Sequence, residues 1–143
     1  MLVDAINVRR VLAGVAMVLC AGGVQAASPS PAGAQVSIVS PKDGEAVTGP
    51  VKIAFAVTGM TISPAGTAKE NSGHHHLIID TDLPAADAPI AKDAQHMHFG
   101  AGQTEASVDL PKGKHTLQLM FADHNHVPHQ PVVASKKITI EVK

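Results

Sequence analysis

The chain has 143 residues, with 11 Lys+Arg, 12 Asp+Glu and 9 His, and a formal charge of −1. That length suits one domain, and the charge balance excludes a strongly basic nucleic-acid binder. An aromatic content of 2%, without Trp or Tyr, leaves no base-stacking platform, and a single Cys leaves neither a disulfide framework nor a Cys-rich zinc site.

At the N-terminus, Arg9 and Arg10 precede an apolar run from Val11 to Cys20. Small residues follow, with Val24 and Ala26 at the −3 and −1 positions of a cleavage site. These features spell a secretory signal peptide over residues 1–26. The run is shorter than the ~20 residues of a membrane span, so no transmembrane segment is expected after cleavage. Leu19 is not the small residue that a lipoprotein needs before its Cys. The chain is therefore read as exported, soluble and periplasmic. The Cys leaves with the signal, so the mature chain must fold on a hydrophobic core of its own, which ~110 residues can supply.

Residues 27–34 (ASPSPAGA) form a small-residue, Pro-rich lead-in, expected to be disordered. The folded domain is expected over 35–143. Val36 and Ile38 start its first strand. Pro41-Lys42-Asp43-Gly44 is a turn, because Pro presets φ, Asp bonds back to the backbone and Gly permits positive φ. Val51, Ile53, Phe55 and Val57 alternate with smaller or polar residues, as in a half-buried strand. Residues 59–73 read as loop, 74–80 as strand, 81–95 as loop and 95–99 as a short strand. Further strands are expected at 104–110, 115–121 and 133–142. About seven short strands separated by turns predict an all-β fold, an antiparallel immunoglobulin-like β-sandwich.

The histidines fall into His74-His75-His76, His96 with His98, His124 with His126 and His129, and His115 alone. Alternate strand residues share a face, so His74/His76 and His96/His98 are pairs that can each grip one ion. In an immunoglobulin-like sandwich the three groups converge at one end and His115 lies at the other. Neutral imidazoles suit copper, zinc and nickel. His74, His76, His98, His126 and His129 are the first choices as metal ligands, with His96 and His124 as second choices. Cu(II) or Zn(II) is the ion expected. His75 shares the parity of Leu77 and Ile79 and is expected to face inwards. Asp80, Asp123 or Glu105 could fix a His tautomer. Met97, beside His96 and His98, could add a thioether or simply pack.

Four ordered segments carry a family likeness: Ser72–Leu77 (SGHHHL), His98–Glu105 (HFGAGQTE), Gly113–Leu119 (GKHTLQL) and Asn125–His129 (NHVPH). Over about residues 50–143 the chain resembles the bacterial exported family called domain of unknown function 4399. The resemblance implies that His74, His75, His76, His98, His115, His126 and His129 belong to one pattern. It implies no activity.

Three functions compete. The first is a periplasmic protein binding a transition metal. The second is a metal-free envelope interaction module, its loops braced by histidines, with a protein partner or a second copy. The third is a copper/zinc oxidoreductase of superoxide dismutase type, although that family's disulfide cysteines are missing here.

Overall fold

Alternation sets the architecture. In β3 (Val51–Thr58), the apolar residues Val51, Ile53 and Phe55 are buried while Lys52 faces water. β3 pairs antiparallel with β1 (Gln35–Ser40) on one side and β7 (Glu105–Val108) on the other. These make a three-stranded sheet, β1-β3-β7. The chain is seen here as a computed structural model that describes residues 26–143; the signal peptide expected at 1–26 lies outside that range, but for Ala26.

The second sheet has six strands. Its centre is β5 (Ser72–Ile79) paired antiparallel with β8 (Gly113–Ala122), which pairs in turn with β9 (Ile138–Val142). β2 (Ala46–Val47) adds a parallel pair to β9. The free edge of β5 is shared by β4 (Thr61–Ile62), parallel to its start, and β6 (His96–His98), antiparallel to its second half. The described residues hold no helix.

The two sheets face each other across one core. Val36, Val51, Ile53, Phe55 and Val108 come from the first sheet; Leu77, Leu117, Leu119, Phe121 and Ile140 come from the second. Each such side chain contributes roughly 1.5–3 kcal/mol on leaving water. That burial holds together a chain whose one Cys can form no internal disulfide.

β5 is buried along its whole length. His75, Leu77 and Ile79 point into the core. His74, His76 and Ile78 lie on the outer face, where the 81–95 loop covers them: Leu83 and Ile90 pack with Ile78, Met120 and Ala122. The loop is pinned where the Ile90 N–H donates to the His126 carbonyl (2.9 Å).

Three sequence expectations change. The strands are not all antiparallel, because the two-residue strands β2 and β4 pair parallel and are too short for alternation to register. The last strand starts at Ile138; Val133 and Ser135 instead bond across to β8 outside a regular ladder. The lead-in is tied down, since Ser30 N–H donates to the Gln130 carbonyl and Gln130 N–H to the Ser28 carbonyl (3.0 Å each).

Candidate metal centre

The outer face of β5 supplies two imidazoles. His74 and His76 are two residues apart, so the pleat puts both on one side. β6 supplies a third, because His98 pairs directly opposite His76. The fourth comes from the turn that leaves β8 beside His74, whose cross-strand partner is Ala122.

Asp123 builds that turn. It is buried, and its Oδ1 accepts from the backbone N–H groups of Asn125 (2.9 Å) and Val127 (3.1 Å). Its Oδ2 accepts from the Ser28 hydroxyl (2.6 Å). Asp commonly folds a turn this way. The His126 N–H donates to the Asp123 carbonyl (2.9 Å). His126 is held at φ 65°, a left-handed conformation costing a non-Gly residue about 1 kcal/mol or more. The turn thereby carries the His126 ring back over β5.

One ring nitrogen from each of His74, His76, His98 and His126 lies within 4.8 Å of the others. His76 Nε2 is 3.0 Å from His74 Nε2, and His74 Nε2 is 3.1 Å from His126 Nδ1. Four nitrogens at ~2.05 Å from a tetrahedral ion stand ~3.3 Å apart. The His76–His74 and His74–His126 separations are close to that spacing. The His98 ring lies against Gly100, where a Cβ would meet its Cε1 at 2.2 Å.

The electrostatics favour neutral rings. Burial, reinforced by His98 and His126, pushes the His74 pKa down from 6.5 to about 4. Burial first, then repulsion from His74, His98 and His126, pushes His76 down to about 2. His98 is lowered by burial, then by His126 and Lys92. A neutral imidazole carries one N–H and one lone pair. His74 Nδ1, His76 Nδ1 and His98 Nε2 are buried without a hydrogen-bond partner. With its proton on the nitrogen that faces away, a neutral ring can turn a lone pair toward the shared centre, which is what a cation seeks.

The remaining histidines lie outside this group of four, three of the expected ligands among them. His129 leaves the cluster to stack on Phe121 (centroids 5.8 Å apart), with Nε2 3.1 Å from the Ser72 carbonyl. It fits because Gly73 lacks a side chain; a Cβ there would meet the His129 ring at 2.8 Å. His96 lies opposite Ile78, one pleat repeat beyond His98, and its Nδ1 bonds Asp93 (2.8 Å). His124 Nε2 turns to the Asn125 amide (2.9 Å). His75 packs inside between Phe55 (5.3 Å) and Phe121 (5.1 Å).

His115 sits at the other end of β8, bonded to Asp80 Oδ2 (2.7 Å) and the Pro111 carbonyl (2.8 Å). The Asp80 carboxylate raises its pKa. Asp80 is thus engaged away from the cluster. Met97 packs into the main core, while Met120 pairs opposite His76.

A cavity of ≈260 Å³ opens beside the cluster, lined by His76, Ile90, Lys92, His98 and His126. Sequence reasoning missed Ile90, Lys92 and Gly100. The first two lie in an irregular loop. The glycine, directly after His98-Phe99, reads as an ordinary turn residue until the His98 ring is placed.

Residues 53–143 match the family described as Domain of unknown function (DUF4399), and the chain belongs to that family. No curated protein and no solved structure matches it.

Proposed function

We propose that this family member is an exported, periplasmic protein that holds one transition-metal ion, Cu(II) or Zn(II), on His74, His76, His98 and His126. The observation that carries the reading is four ring nitrogens within 4.8 Å of one another, from two strands and a turn. The lowered pKa values of His74, His76 and His98, caused first by burial, support it, because a protonated imidazole cannot ligate. All-nitrogen donors favour Cu(II) on intrinsic affinity, and a set of four imidazoles also suits Zn(II). The strand order β1-β3-β7 opposed to β2-β9-β8-β5 is consistent with an immunoglobulin-type sandwich. Export rests on the signal-like residues 1–26.

A second reading has its own observation. The 3.0 and 3.1 Å contacts among His74, His76 and His126 also suit a metal-free hydrogen-bonded network that braces the loops for an envelope partner.

Elemental analysis decides between them. Residues 27–143, untagged and purified without metal-affinity resin, are titrated with Cu(II), Zn(II) and Ni(II). One ion per chain is expected, with His76→Ala weakening it at least tenfold, as second-sphere losses alone reach 10–100-fold. His115→Ala leaves affinity unchanged. No binding tighter than ~10 µM, weak for a preformed multi-His site, would leave the bracing network.

A further inference from the structure

The cavity beside the histidines gives the centre a second ligand class. We infer that the bound ion takes a small monoanion of carboxylate size from this cavity, and that Lys92 pairs with the anion. The inference rests on the metal reading above. Three of the five lining residues, His76, His98 and His126, belong to the ligand set. An ion held by them would lie beside the cavity. The other two are Ile90 and Lys92.

Charge selects the guest. Four neutral imidazoles leave a divalent ion's charge uncancelled, and a partly buried charge needs a counter-charge. Lys92 adds a second cation at the same mouth. Size agrees: ≈260 Å³ is several times the ~30 Å³ share of one water, which admits an anion of a few heavy atoms. Ile90 offers an apolar wall to an organic anion's carbon end. Copper and zinc both accept a fifth ligand, so the anion need not displace a histidine.

Azide and acetate are the probes. Azide added to the Cu(II)-loaded protein is expected to give a new, saturable charge-transfer absorption that acetate competes away. Lys92→Gln raises the azide Kd about two- to fivefold, the range for one exposed ion pair. Lys112→Gln, at the turn near His115, leaves it unchanged. A protein that loads Cu(II) stoichiometrically yet shows no band at ~50 mM azide, above the millimolar range of weak ligands, overturns this inference and keeps the metal reading. A band unaffected by Lys92→Gln overturns the assignment to this cavity. A protein that takes up no metal overturns both.

Discussion

Gly100→Ala is expected to unseat one ligand while leaving the fold intact. A Cβ at position 100 would stand 2.2 Å from His98 Cε1, 2.5 Å from its Nε2 and 3.1 Å from the Ala65 Cβ. Ordinary contact begins near 3.4 Å, so the ring must withdraw by about 1 Å, since repulsion rises steeply inside contact distance. The backbone at Gly100 is not among the positive-φ glycines, so alanine adds no conformational strain there. Swinging a ring off its rotamer costs of order 0.5–1.5 kcal/mol, which the fold can absorb. Metal bonds are less forgiving, because ligand distances hold to about ±0.2 Å. The ion must lose His98 or move off the other three ligands. We expect a 10–100-fold loss of affinity, about 1.4–2.8 kcal/mol. Competition against a chromogenic chelator reads the affinity, and thermal melts of the metal-free proteins read the fold. Wild-type affinity in Gly100→Ala, with the melt unchanged, would refute His98 as a ligand in this geometry.

His126→Gly and His126→Ala should both lose at least tenfold in metal affinity, but metal-free His126→Gly should be the more stable by ~1 kcal/mol, because only glycine relaxes at φ 65°. Equal urea midpoints would contradict that strain. Asp123→Ala removes the acceptor of three hydrogen bonds and should cost ~2–4 kcal/mol; Ser28→Ala should cost ~1 kcal/mol, and both should weaken metal by loosening the His126 turn. Denaturation and metal titration of the pair check this, and undiminished affinity in Asp123→Ala would separate the turn from the site. The metal-free protein should lose stability in acid: burial lowers His75 from 6.5 to about 4, so its contribution is present above pH 6.5 and lost as pH falls towards 4. That window is worth up to ~3 kcal/mol for this one group, and His74, His76 and His98 act in the same direction. Urea midpoints at three pH values should show His75→Leu with a shallower acid slope; identical slopes would remove His75 as a source.

Much of the site was legible because strand parity is legible. The apolar Leu77 and Ile79 fix which face of β5 enters the core, and one residue of slip would exchange the faces. From that, His74 and His76 share the outside and His75 the inside. His98 followed from the pleat once β6 was known to pair with β5. That His129 lies outside the group of four was not legible, because position in a loop says little about direction. Its ring fills the space left by Gly73, a contact between residues 56 apart that no local pattern announces. Asp123 looked like an acceptor for a ligand, whereas it shapes the backbone that carries one. The parallel pairs of β2 and β4 were invisible, being two residues long.

The cluster is a poor way to build a stable sheet, and that bears on its purpose. His74 and His76 occupy fully buried positions where leucine would contribute burial without a polar cost. Each unpartnered buried nitrogen costs about 1–3 kcal/mol, and the site has three of them, on His74, His76 and His98. A bound cation adds stability of its own by mass action: at a free concentration 100 times its Kd it stabilises the fold by ~2.7 kcal/mol. If the histidines exist for an ion, replacing them should help the metal-free chain. His74→Leu/His76→Leu is therefore expected to raise metal-free stability by ~1–3 kcal/mol while abolishing metal-induced stabilisation. Denaturant melts with and without Zn(II) measure both quantities. A double variant less stable than the metal-free wild type would mean that the imidazoles hold the fold by their own hydrogen bonds, and the bracing network would then be the better account.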